Sequence, residues 1–206
     1  MGLFNFFKSK KADVNNVKEI IENASSSANE NSIGKLSQVI FQSSMKLTDK
    51  SYNLWKIKGT NKNEEQTIRF SMLAEIIYFY LGFTDRIAFA VLSKQKRNEL
   101  MNELVSILQF SVVETIFNGW DEKLKDDLKK YFSEGYIESQ VRYSKGKELI
   151  DKNEPFNGNG LLSILGRQIA EINESSMNPE IIMKTIELTS ASFNEMQLNK
   201  HIENFR

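Results

Sequence analysis

The run from Ser71 to Leu92, SMLAEIIYFYLGFTDRIAFAVL, constrains the fold more than any other stretch, because it is long, strongly apolar and free of proline. Three charged residues interrupt it: Glu75, Asp85 and Arg86. The run is long enough for a membrane span of about 20 residues. However, a central Asp or Arg costs roughly 2.5 to 3.5 kcal/mol each on the insertion scale. We therefore predict a helix enclosed by other helices of the same chain, and not by lipid.

The polar side chains of this run share one narrow stripe when it is arranged as a continuous helix of about 100° per residue. With Glu75 at 0°, Gly82 lies at roughly −20° and Arg86 at roughly +20°. The stripe predicts one polar seam, which either faces solvent, lines a groove that binds a ligand, or holds a buried ion pair. Glu75 and Arg86 are about 16 Å apart along the axis, so each needs a partner from another helix. An alternative ends the helix at Gly82 and caps a new one with Thr84 or Asp85.

The remaining sequence also favours helices, because only two prolines and ten glycines interrupt it and its apolar residues recur at spacings of three and four. Besides the helix that contains the run, and a short one at 14–24, helices are predicted at 33–58, 94–118, 121 to about 150, 161–173 and 178–204. Asn118 and Gly119 supply a stop, and Asn178, Pro179 and Glu180 combine a cap, a first-turn proline and a first-turn acid. The predicted fold is all-α: a bundle of five to six mostly antiparallel helices over 33–206, with an N-terminal arm and flexible linker over 1–32.

The amino-acid composition argues against several kinds of binding and catalytic site. The chain has 27 basic and 27 acidic residues, so no global charge favours nucleic acid. Its first basic cluster, at 94–97, lacks interleaved aromatics, and its second, at 123–130, is diluted by acids. It has no cysteine and one histidine, His201, which argues against thiolate sites, di-iron carboxylate centres and histidine-based catalytic triads. We predict no metal and no cofactor, and the sequence leans away from an enzyme.

The N-terminal arm carries large apolar and basic residues, with no acid before Asp13. These residues are Leu3, Phe4, Phe6, Phe7, Lys8, Lys10 and Lys11. Such a segment can pack on its own bundle or on a second copy, or it can contact a partner groove or a membrane surface. It does not fit a secretory signal, because its apolar stretch is too short and the lysines follow it. We therefore expect a cytoplasmic protein.

Two functional hypotheses follow. The first is a non-enzymatic interaction or assembly module whose arm contacts a second copy, a protein partner or, through weak reversible attachment, a membrane surface. The second is a small-ligand-binding bundle or metal-independent enzyme that uses the polar seam. The ligand-binding residues of this second hypothesis are Glu75, Tyr78, Arg86, Phe89 and Glu114.

Overall fold

The computed structural model of the chain describes residues 32–55, 62–150, 158–173 and 178–205. These residues form seven helices and no strand. The helices are α1 (Ser32–Trp55), α2 (Lys62–Val91), α3 (Lys94–Ile116), α4 (Glu122–Ser144), α5 (Leu161–Ile172), α6 (Pro179–Met196) and α7 (Leu198–Glu203). The predicted all-α helical bundle is confirmed, with a helix number slightly above the predicted five to six. The predicted helix at 14–24 lies outside the described residues.

Helix α2 is the centre of the bundle and contacts α1, α3, α4, α5 and α7. Its residues 76–81 are buried without a break, as expected for a helix with neighbours on most of its circumference. The helix continues through Gly82, so the alternative that ended it there is wrong. A methyl group at Gly82 would meet only Tyr143 Cβ, at 3.8 Å.

Helix ends follow local capping chemistry. The side chain of Ser93 accepts a hydrogen bond from the Lys96 amide at the start of α3, and that of Asp121 accepts one from the Lys123 amide at the start of α4. Asn178 accepts from the amides of Glu180 and Ile181 at the start of α6. These bonds satisfy amides that have no partner within the helix.

One predicted helix end is wrong. Helix α4 ends at Ser144 rather than near Ile150, because the following backbone caps α5. The carbonyls of Glu148 and Leu149 accept the Leu161 and Leu162 amides at 2.9 and 3.0 Å.

The helix predicted at 178–204 is divided into two shorter helices. Gln197 adopts the left-handed conformation, with φ 47° and ψ 43°, and separates α6 from α7. The two sides of this break are both anchored in the core, because Met196, Leu198 and Ile202 are buried. Helix α7 packs against α1 and α2, and the division raises the number of helices to seven.

Candidate functional site

Glu75, at the start of the polar seam, is buried between α2 and α4. It is only 5% exposed, so the solvent-facing interpretation of the seam is wrong for this residue. One carboxylate oxygen accepts a hydrogen bond from the Tyr143 hydroxyl at 2.7 Å, and the other accepts one from Arg142 Nη2 at 2.8 Å. Both partners come from the last turn of α4. The charge of Glu75 is therefore compensated across a helix interface.

Arg86, at the far end of the seam, reaches the same turn of α4. Its Nη2 donates to the Tyr143 carbonyl at 2.6 Å. Carbonyls in the last turn of a helix lack an intrahelical partner and carry partial negative charge, so a guanidinium is a favourable cap. Tyr143 thus contacts both seam charges, Glu75 through its hydroxyl and Arg86 through its carbonyl.

The electrostatics of this cluster follow from its burial. Desolvation raises the pKa of the Glu75 carboxyl above its ordinary value, against the opposing effects of Arg142 and the Tyr143 hydroxyl. Burial raises the pKa of Tyr143 well above 10.0, and the nearby Glu75 raises it further. Tyr143 therefore remains a neutral hydrogen-bond donor over the physiological pH range.

Tyr78 and Phe89, the two aromatic residues among the predicted ligand-binding residues, lie in different environments. Tyr78 is buried, donates to the Phe132 carbonyl at 2.9 Å, and packs edge-on against the Phe132 ring with centroids 4.9 Å apart. Phe89 is 71% exposed. The Arg97 guanidinium lies 5.1 Å from the Phe89 ring centroid and forms a two-bond fork with Asp85, at 2.7 and 2.6 Å.

Glu114, the fifth predicted ligand residue, belongs to an ion-pair network between α3 and α4. It lies 2.7 Å from Lys125 Nζ and 3.7 Å from Lys129 Nζ. The structure thus brings Glu75 and Arg86 together through Tyr143. It engages Glu114 and Phe89 in separate clusters and joins Tyr78 to the backbone of α4. Ligand binding by these five residues stays a prediction.

Sequence reasoning missed Arg142 and Tyr143, the partners of the seam. One signal was available: Phe132, Tyr136 and Tyr143 recur at helical spacing on α4. This spacing indicates that Tyr143 faces the bundle, but it carries no information about which charge on α2 it meets.

A cleft of about 290 Å³ lies between the start of α1, the first half of α3 and the C-terminal residues. It is lined by Ser32, Ile33, Lys96, Glu99, Leu100, Glu103, Asn204 and Phe205. The lining combines apolar side chains with Lys96 and the two carboxylates of Glu99 and Glu103 on α3. Ser32, the last residue of the predicted arm segment 1–32, lies in this lining.

Several large apolar side chains of the described residues are exposed. They are Phe89, Phe110, Tyr131, Ile137, Val141, Ile150 and Met183. Ile137 and Val141 lie one turn apart on α4 and are 65% and 63% exposed, so they form a small apolar surface on that helix.

The predicted arm contacts, Leu3, Phe4, Phe6, Phe7, Lys8, Lys10 and Lys11, lie outside the described residues. Within the described ranges, no helix is both long enough and apolar enough to cross a membrane. The same ranges contain no group of three or more His, Cys, Asp or Glu residues that could hold a metal ion.

No protein-family model, curated protein or solved structure matches the chain.

Proposed function

We propose that the protein is a non-enzymatic interaction module in which the helical bundle is a scaffold and the aromatic, basic N-terminal arm is the contact element. The observation that carries this proposal is the chemistry of the arm: four large apolar residues, then three lysines, with no acid before Asp13. Such a segment binds a groove that offers apolar pockets and carboxylates. The proposal includes a cytoplasmic location.

The geometry of the seam supports this proposal over the ligand-binding alternative. Glu75 and Arg86 already bond to α4, so a ligand at this position would have to displace Arg142 or Tyr143. Displacing one partner of a buried charge is costly. The seam is thus better suited to hold α4 against α2 than to release a substrate.

A protein partner is favoured over a membrane surface. One short apolar and basic segment gives only weak, reversible attachment to lipid, whereas aromatic residues, phenylalanine included, are enriched at protein interfaces. We therefore assign the arm to a protein groove with acidic residues at its rim. The membrane alternative is tested alongside it.

The experiment compares the tagged full chain with a variant that carries Phe4→Ser, Phe6→Ser and Phe7→Ser. Co-purified proteins are quantified by mass spectrometry, and the leading one is purified and titrated against both chains by calorimetry. Met183→Ser, which alters an exposed apolar residue on α6, is the matched control. We expect the arm variant to lose the partner by about tenfold or more in affinity and the control to retain it.

Flotation with phosphatidylcholine vesicles that contain about a third phosphatidylserine tests the membrane alternative. If the full chain binds vesicles, the arm variant does not, and no protein partner is captured, the arm is assigned to a lipid surface instead. Equal capture and equal flotation by the arm variant and the full chain would overturn the proposed role of the arm.

A further inference from the structure

The connection between α3 and α4 contains an Asn–Gly pair, which the sequence predicts as the stop of α3. Of the three Asn–Gly pairs in the chain, 118–119, 157–158 and 159–160, the structure describes both residues of the first and the last. Asparagine before glycine is chemically labile in water, because the glycine amide nitrogen can attack the asparagine side chain. The attack requires a glycine amide that is unbonded, unhindered and open to water.

The Gly119 amide differs from the amides on either side of it. The Phe117 amide donates to the Val113 carbonyl at 2.9 Å, and the Trp120 amide donates to the Phe117 carbonyl at 3.1 Å. Among the described residues, the Gly119 amide donates to no backbone carbonyl. Removing its proton therefore breaks no backbone hydrogen bond in this part of the fold, and the nitrogen is available as a nucleophile.

The surroundings of Gly119 are open. Asn118 and Gly119 are both exposed and lie between the helices. Gly119 has φ 80°, a left-handed conformation that glycine adopts without strain. A methyl group on Gly119 would meet no heavy atom of the described residues within 4 Å, apart from those of its chain neighbours. A ring can therefore close at this position without displacing another side chain, and water can reach it.

The Asn159–Gly160 pair lies in a different environment. Asn159 is exposed, but Gly160 is buried and is the N-cap of α5, where its carbonyl accepts the Ile164 amide at 3.0 Å. The backbone of Asn159 is also closely packed, because a methyl group on Gly146 would lie 3.0 Å from its carbonyl oxygen. Ring closure at this pair requires local opening at the start of α5, which costs free energy.

We propose that Asn118 is a site of spontaneous deamidation to aspartate and isoaspartate, and that the fold protects Asn159 from the same reaction. The Gly119 nitrogen loses its proton and bonds to Cγ of Asn118, the bond from Cγ to Nδ2 breaks, and ammonia leaves a succinimide behind. One water molecule then opens this ring. Attack of water at Cγ gives aspartate, and attack at the main-chain carbonyl carbon of Asn118 gives isoaspartate, which adds a methylene group to the main chain.

Both products alter the joint between α3 and α4. A carboxylate at 118 lies just after the end of α3, where the helix dipole places partial negative charge, so the new charge is unfavourable there. Isoaspartate also lengthens the main chain between Phe117 and Trp120, whose rings pack edge-on with centroids 5.0 Å apart. Because Phe117 is buried in the core, the added length weakens the packing of Trp120 against it.

Peptide mapping by mass spectrometry tests the site. The purified full chain is incubated at pH 8, and fragmentation locates each modified residue and distinguishes aspartate from isoaspartate. We expect both products at Asn118, formed about tenfold faster than at Asn159 or more, since a tenfold ratio corresponds to a local opening of only about 1.4 kcal/mol. Equal rates at the two positions, or faster conversion of Asn159, would overturn the proposal.

The same incubation in guanidinium chloride separates the effect of the fold from that of the local sequence. Unfolding exposes both pairs to water, so the ratio of the two rates should fall towards one. A ratio that is as large in denaturant as in buffer would show that the sequence alone selects Asn118. That result would overturn the protection of Asn159 by the fold.

The effect on the joint is tested with Asn118→Gln, an exposed position where the longer side chain closes a six-membered ring much more slowly. Wild type and variant are incubated for equal times and then unfolded in urea. We expect the midpoint of wild type to fall as isoaspartate accumulates, and that of Asn118→Gln to stay constant. A wild-type midpoint that stays constant after conversion, or one that falls equally in the variant, would overturn the weakening of the joint.

Discussion

At the residue scale, Glu75 carries the strongest energetic constraint among the seam residues. An ionised carboxylate in the interior is tolerated when an opposite charge and hydrogen-bond donors compensate it. Glu75 has both, from Arg142 and Tyr143 of one helical turn. Removing Arg142 and neutralising Glu75 should therefore have different effects on the free energy of unfolding.

Arg142→Met should lower the free energy of unfolding at pH 7 by about 3 kcal/mol, because it leaves the buried Glu75 charge without its counter-ion. Adding Glu75→Gln should recover most of this loss, since glutamine still accepts the Tyr143 hydroxyl but carries no charge. Urea unfolding of the single and double variants measures both effects. A double variant that is less stable than Arg142→Met alone would contradict the explanation.

The raised pKa of Glu75 fixes the direction in which its contribution to stability changes with pH. Burial raises the pKa of Glu75, so the folded chain holds this proton more tightly than the unfolded chain. The contribution of Glu75 to stability is therefore full below the unfolded pKa and is lost as pH rises through the folded pKa. The difference in unfolding free energy between wild type and Glu75→Gln should fall from pH 4 to pH 8; a difference that rises would contradict this sign.

At the element scale, the contact of α2 with α4 depends on a close approach at Gly135. A methyl group there would lie 2.7 Å from the Tyr78 hydroxyl oxygen. Tyr78 cannot easily yield, because its ring packs on Phe132 and its hydroxyl bonds to the α4 backbone. Glycine at this position thus permits the packing of a buried tyrosine.

Two glycine-to-alanine substitutions should therefore have opposite effects. Alanine is favoured over glycine inside a helix by about 1 kcal/mol. Gly82→Ala should show this gain, since its methyl group would meet Tyr143 at an ordinary contact distance of 3.8 Å. Gly135→Ala should lower the melting temperature instead. Equal gains from both would refute the close-packing argument for α4.

Most elements were predictable from local signals, and the exceptions have physical causes. The cap at Asn178 and Pro179 marks α6 because it is local chemistry. The end of α4 was not predictable, since the backbone carbonyls after Ser144 accept hydrogen bonds from the amides of α5, and this contact is not local in sequence. Similarly, helical spacing located Glu75 and Arg86 on one stripe, but their meeting with Tyr143 depends on how α2 and α4 pack.

At the scale of the whole molecule, charge is balanced overall, whereas the charged side chains of the arm before Asp13 are all basic. With 27 basic and 27 acidic residues, long-range attraction by the entire chain is weak, and we propose that the lysines of the arm supply local attraction to a partner. Substituting Lys8, Lys10 and Lys11 by glutamine should slow association with the partner and flatten its salt dependence. Stopped-flow binding at low and high salt measures this; an unchanged salt slope would show that the lysines take no part.

We propose a division of labour in which the seam holds the bundle together and the arm binds a partner. The most direct test is the calorimetric affinity of the purified partner for two variants of the full chain. The prediction is that Glu75→Gln with Arg142→Met keeps wild-type affinity, whereas Phe4→Ser with Phe6→Ser and Phe7→Ser loses about tenfold or more. A folded seam variant that loses the partner, beside an arm variant that keeps it, would contradict this division of labour.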